Sequence, residues 1–220
     1  AETERELVQI AAAAPQVVTR VSLGMELARA TQVRRQASSL VRTVMADVRL
    51  GKAVEIDRVQ HTVQDITESI LRNPGALVGL LRIKNKDDYT FLHSVSVCAL
   101  MVAFCRSRGV DGATTHQAGL GGLLHDTGKA LVPDSVLNKP GPLTPEEFSL
   151  IKRHPRDGYD ILRRSPELGA IPLDIALHHH ERRDGSGYPD QLAGDAISEL
   201  AQMAAIVDVY DALTSDRSYH

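Results

Sequence analysis

Tryptophan is absent, and aromatic residues make up only 4% of the 220 residues. Alanine, leucine and valine must therefore do most of the packing, which favours helices over sheets. No period-2 stretch reads as a strand, and no repeat of about 20–50 residues suggests a solenoid. Cysteine is scarce: Cys98 and Cys105 stand seven residues apart in an apolar stretch. On a helix they share a face about 10 Å apart, too far for a disulfide. Both are read as buried thiols in a reducing cytosol, so a cytoplasmic location is expected. No apolar run approaches about 18 residues and no signal peptide is visible, so no membrane span is expected. A strong charge of one sign is also missing. A net charge of −3 gives no global basic field to draw in a long nucleic acid, and leaves a small anionic ligand to local positive charge.

Hydrophobic residues at 43% are enough for one domain of good size plus an extra segment. Residues 1–55 read as an N-terminal helical lead-in. Leu27, Ala30, Val33, Ala37, Leu40, Val44 and Val48 recur at spacings of three and four, with Arg29, Arg34, Arg35 and Arg42 off that stripe. Such a stripe packs on its own domain or serves as a dimer or interdomain signalling helix, and a homodimer through these helices stays open. Gly51-Lys52 breaks it. Helices follow over Asp57–Arg72, Ala76–Ile83 and Asp88–Arg108, then Thr114–Thr127. Thr144-Pro145-Glu146-Glu147 is a helix start, predicted to lead into a helix bearing His154. Helices around Asp157–Arg164, Ile171–His180 and Ala196–Ser215 complete an all-α bundle over residues 56–220, with a Gly-rich loop at Arg183–Asp190. The chain opens without Met on a helical pattern and stops at Ser218-Tyr219-His220, which reads as a piece of a longer protein.

Nine histidines are present, and seven of them fall between His93 and His180. His93, the pair His125-Asp126, His154, the run His178-His179-His180 and Asp208 are the candidate metal ligands. Singly each is weak, because a lone histidine on an apolar helix is more often packed or capping. Together they are spread over separate helices, as a site in a bundle core requires. Imidazole and carboxylate suit Fe, Mn or Zn, and thiolate ligands are missing. A carboxylate next to a histidine can bridge two ions about 3.5–4 Å apart, which activate a water and neutralise a phosphoryl oxygen together.

His125-Asp126-Thr127-Gly128-Lys129 resembles the HD-x-G-K signature of HD-GYP phosphodiesterases. His179 through Pro189 resembles that family's HHE-R-x-D-G-x-GYP segment. Asp88-Tyr89-Thr90 through His93-Ser94, Leu137 through Gly141 with Leu143-Thr144, and Asp208 through Arg217 match further elements, so the likeness covers about residues 60–220. The resemblance implies the helical fold of the HD superfamily, within residues 56–220, and a catalytic domain lacking the family's last helices. It implies hydrolysis of cyclic di-GMP to linear pGpG or GMP by an activated water. His93, His125, Asp126, His154, His179, His180 and Asp208 carry over as metal ligands, with Asp126 bridging and His178 outside. Some members hold a third metal on a Glu where this chain has Tyr89, so two divalent ions are expected, with Asp87 or Asp88 the minor alternative for a third. Fe or Mn leads, with Zn, Ni or Mg as alternatives. A regulatory domain fused outside these residues is expected by analogy with the family.

Catalysis is assigned to His125, Asp126 and Lys129, and Lys129 also suits a substrate phosphate as a point charge. Asp184 and Gly187 shape a tight loop that lets backbone approach a ligand, and Tyr188 offers a ring and a hydroxyl. The resemblance implies that Tyr188 and Arg217 contact the substrate, Arg217 by a phosphate or by guanine N7/O6. The family's R-P-Y-K ending here reads Arg217-Ser218-Tyr219-His220, which weakens one phosphate contact. Two other functions remain in view: a cyclic di-GMP receptor without turnover, and a phosphohydrolase for other nucleotides. The first is disfavoured by the complete ligand set, the second by Gly187-Tyr188-Pro189.

Overall fold

The computed structural model describes residues 18–83 and 89–214, and these form helices and connecting loops. Among the described residues the only sheet-like pairing is an isolated bridge between Asp184 and Ala193. The expected all-α bundle is what is found. Arg217, His220, Asp87, Asp88 and the first part of the lead-in lie outside the described residues.

Helix α1 (Leu23–Arg49) starts where the Ser22 hydroxyl accepts the Met25 N–H. It lays Ala30, Ala37, Leu40, Val44 and Val48 on α2 (Ile56–Arg72), α3 (Pro74–Leu81) and α4 (Tyr89–Ser107). Leu27 departs from the predicted stripe and is 43% exposed. The neighbouring Glu26 is fully buried instead, because Arg72 and Ser69 at the end of α2 satisfy its carboxylate. The chain leaves α1 at Gly51, at the predicted break.

Helix α4 is the central strut. It is 19 residues long with a mean hydropathy of 1.4, which by length and composition alone suffices to cross a membrane. Its apolar stretch is 61% buried inside the protein, and one core cluster covers it from α1–α3 while a second joins it to α5 (Gly112–Leu124) and to Ile175, Met203, Ala204 and Val207 from later in the chain. Cys98 and Cys105 lie on it as buried free thiols, and burial pushes the Cys105 thiol up to about 11. Four short pieces follow α5: a 3-10 turn (Thr127–Leu131), α6 (Asp134–Leu137), α7 (Pro145–Ile151) and α8 (His154–Leu162). Helix α9 (Ala170–His178) and helix α10 (Glu199–Thr214) close the bundle.

Three helices end earlier than the spacing predicts, each at a candidate ligand. Helix α5 stops at Leu124 rather than Thr127, so His125 and Asp126 stand just past its end. Helix α9 stops at His178, leaving His179 and His180 beyond it. The helix started by Thr144, with its reciprocal Thr144–Glu147 capping box, stops at Ile151, and His154 opens α8 instead. Pro155 explains the last break: inside a continuous helix it removes the hydrogen bond to the Ile151 carbonyl and its ring clashes there.

Candidate metal centre

The early helix ends decide how the ligands point. The last turn of a helix leaves carbonyl oxygens without partners. The His125 ring places Nδ1 2.8 Å from the Gly122 carbonyl, and His154 Nδ1 lies 2.7 Å from that of Ile151. His179 Nδ1 lies 3.0 Å from the Ala176 carbonyl and 3.1 Å from that of Ile175. A carbonyl only accepts, so each Nδ1 must carry the proton, and in the neutral ring each Nε2 is a bare lone pair turned inward.

Close approach of the backbone then brings these ends together. A Cβ on Gly128 would sit 2.0 Å from the His154 carbonyl oxygen and 2.6 Å from the Gly158 nitrogen. Only glycine lets the 3-10 turn meet the start of α8, and that contact sets His154 Nε2 3.3 Å from Asp126 Oδ1.

All seven predicted ligand positions converge. His154, His179 and His180 form one group of donor atoms within 4.8 Å of one another, and His93, His125 and Asp208 form another. A third group, His125, Asp126 and His179, joins the two. His154 and His179 face each other through their Nε2 atoms at 3.2 Å, acceptor to acceptor in the neutral state. His125 Nε2 and Asp126 Oδ1 are buried with no hydrogen-bond partner. Such orphaned lone pairs are costly unless a cation takes them. The donor set therefore fits divalent metal.

The electrostatics agree. Burial keeps the His154 imidazole below its ordinary value, and Lys129 adds to this against the pull of Asp126. Burial and the neighbouring histidines push His179 well down, and burial with His154 takes His180 to about 3. For Asp126, burial raises the carboxyl, but His125, Lys129 and His154 outweigh it and hold it well below the carboxylate range. Asp208 is held at about 2, where the His93 hydrogen bond and His125 charge overcome burial. Neutral imidazoles and ionised carboxylates are the forms that ligate.

His93 behaves differently. Its Nε2 lies 2.9 Å from Asp208 Oδ1 and its Nδ1 2.7 Å from Asp211 Oδ2. Burial lowers it, but these two carboxylates win and its value is raised. Asp211 orients the ring from behind as a second carboxylate does in many metal sites. The motifs assign Asp211 no role, although its place three residues after Asp208 on one helix is the available signal.

His178 turns away from the cluster, to Asp174 at 2.6 Å and Asp190 at 3.2 Å. Tyr89 stacks on His93 with ring centres 6.1 Å apart. Lys129 lies with Nζ 2.7 Å from Asp126 Oδ2, brought there by a 3-10 turn where the spacing predicts continued α-helix. Asp184 accepts the backbone and hydroxyl of Ser186 and so shapes its own turn. Gly187 is pressed against its own chain, since a Cβ there would sit 2.4 Å from the Arg182 nitrogen. The Tyr188 ring lies 4.8 Å from His180, next to a cis Tyr188–Pro189 peptide. Glu181, buried, accepts the N–H groups of Asp190 and Leu192 and ties this loop down, a role no linear spacing reveals. Between the loop and α10 opens a cleft of about 730 Å³, with His180, Arg183 and Tyr188 on one side and Ile206 and Val209 on the other.

Residues 72–220 match the family model described as HD domain. The chain is 47% identical over 200 residues to a cyclic di-GMP phosphodiesterase of Pseudomonas aeruginosa, covering 91% of this chain and 48% of that protein. It is 39% identical over 166 residues to a cyclic di-GMP phosphodiesterase response regulator of Xanthomonas campestris, covering 74% and 43%. The chain thus spans about half the length of the curated relatives it matches. Its fold superposes on an HDG"Y"P protein of Bdellovibrio bacteriovorus with a TM-score of 0.71 at 22% identity, covering 87% of this chain and 62% of that one. The chain belongs to the HD domain family, in its HD-GYP group.

Proposed function

We propose that this chain hydrolyses cyclic di-GMP to linear pGpG or GMP at a two-metal His/Asp site. The observation that carries the reading is the convergence of inward-facing Nε2 lone pairs on Asp126 with His125 Nε2 and Asp126 Oδ1 left unpartnered. The names of the relatives supply the substrate.

His154, His179 and His180 would hold one ion and His93, His125 and Asp208 the other, with Asp126 between them. Fe or Mn suits this nitrogen and oxygen set, with Zn, Ni or Mg as alternatives. When bound, the ions supply acidification of a water and neutralisation of the phosphoryl oxygens. The chain's own residues do the rest. The backbone carbonyls hold three rings in one tautomer, and Asp211 holds His93. Lys129 stands ready at Asp126 to meet a phosphate, Tyr188 packs beside His180, and Asp184 and Gly187 shape the loop under the cleft. Arg217 is a further proposed substrate contact. Residues 56–220 act as the catalytic unit, and the lead-in, tied to it by Glu26–Arg72 and Arg49–Asp134, connects it to a regulatory domain elsewhere in the protein.

The test is hydrolysis of cyclic di-GMP after anaerobic loading with Fe(II) or Mn(II), with metal content measured on the same sample. Turnover at about two metals per chain supports the reading. A rate no higher than that of the His125→Ala/Asp126→Ala double variant would sink it, and faster turnover of another nucleotide in a panel would reassign the substrate.

A further inference from the structure

A cyclic dinucleotide brings two negative phosphodiesters, and a cation attracts them most when no carboxylate of the protein already neutralises it. Most cations around the site are engaged. Lys129 is 2.7 Å from Asp126, Arg156 is 2.5 Å from Asp190, Arg182 is 3.3 Å from Asp184, and Arg183 is 3.2 Å from Asp195. Lys152 differs. It has no carboxylate partner among the described residues, and its Nζ lies 5.5 Å from the centre of the Tyr188 ring and 5.1 Å from that of Phe148. It is exposed, two residues before His154, and the same Tyr188 ring rests on His180. The two rings therefore hold the ammonium on the Tyr188 side of the His/Asp cluster without cancelling its charge.

We propose that Lys152 is a substrate-binding residue whose ammonium takes a non-bridging phosphate oxygen of the cyclic dinucleotide, with Tyr188 and Phe148 setting its position. The proposal rests on the hydrolytic reading above and adds to it a residue that the sequence motifs do not mark. Lys152 binds substrate and transition state alike, so its loss moves KM and Kd and spares kcat. The loss also becomes smaller at high salt, because the contact is exposed.

Cyclic di-GMP binding to the metal-free protein, by calorimetry, and steady-state hydrolysis by the Mn(II)-loaded protein are measured for wild type, Lys152→Ala, Lys152→Arg and Arg153→Ala. Arg153 is the adjacent exposed cation, with no cation–ring contact found among the described residues. Lys152→Ala is expected to raise KM and Kd about tenfold with kcat within about twofold. Lys152→Arg recovers most of the loss, Arg153→Ala changes little, and all melting temperatures agree. KM and Kd within about twofold of wild type in Lys152→Ala overturn the assignment and leave the hydrolytic reading standing. So does a fall in kcat at constant KM, or an equal loss in Arg153→Ala. A wild type that binds without turnover is judged on Kd alone. A wild type that neither binds nor hydrolyses overturns both inferences.

Discussion

Glu26 and Asp126 are both carboxylates with almost no exposure, and their surroundings differ in one respect. Every contact of Glu26 is complete. Its Oε2 accepts from Arg72 Nε at 2.8 Å, and its Oε1 accepts from Arg72 Nη2 at 2.9 Å and from the Ser69 hydroxyl at 3.0 Å. Asp126 has Lys129 on Oδ2, while Oδ1 faces His154 and His179 without a hydrogen bond. One cluster is finished by the chain itself and ties the lead-in to α2. The other leaves two buried atoms, His125 Nε2 and Asp126 Oδ1, without a hydrogen bond. A buried polar group without a partner is a cost, and here several point at one place, which is how a fold marks a ligand position.

Breaking each cluster should separate the two roles. Asp126→Ala is expected to lower hydrolysis of cyclic di-GMP by at least about 1000-fold, the largest effect, since it removes the residue between the two ligand groups. In urea the metal-free variant should lose less stability than Glu26→Ala does; a larger loss would mean that Asp126 is structural. Glu26→Ala should cost about 3 kcal/mol in the same titration, because it leaves Arg72 without its buried partner, while metal content per folded chain stays the same. Asp211→Asn should weaken metal binding about 10- to 100-fold in a chelator competition with little change in urea midpoint, because it removes the charge that orients His93. A midpoint shift without loss of affinity would make Asp211 a packing residue.

The smallest effect is one of pH. Burial raises the Glu26 carboxyl, but the hydrogen bonds of Arg72 and Ser69 and the Arg72 charge outweigh it, so its value lies below the ordinary 4.5. A carboxyl lowered by folding stabilises the protein above its unfolded value, and the contribution is lost as pH falls through the folded one. The wild-type protein should therefore lose stability as pH drops below 4.5, whereas Glu26→Gln should show a flatter acid limb. Parallel limbs would mean that the pair contributes nothing through its charge.

The motifs singled out the candidate ligands because metal donors must be particular residue types, and the structure brings those residues together. Helix boundaries near the ligands were less legible. The spacing extends helices through Thr127, through His154 and to His180, and in each case the helix stops short. Apolar periodicity registers a face, whereas these ends are set by a proline at 155, by a 3-10 turn after Asp126, and by rings that take the last carbonyls. Leu27 leaves the predicted stripe for a similar reason. Periodicity counts hydrophobicity, and Glu26 is buried because of a partner 46 residues away.

The sequence by itself determined the helical class, the break at Gly51 and the start of α7 at Thr144, and its resemblance to a known family singled out seven candidate donor residues. These depend on composition, local caps and residue chemistry, all readable within a few positions. Only the tertiary structure decided that seven candidate donors from five places in the chain meet in two joined groups, that Asp211 stands behind His93, and that Glu181 fastens the loop bearing Tyr188. Such contacts join residues up to 118 positions apart. They exist only once helix packing, including the backbone approach at Gly128, has set where each side chain points.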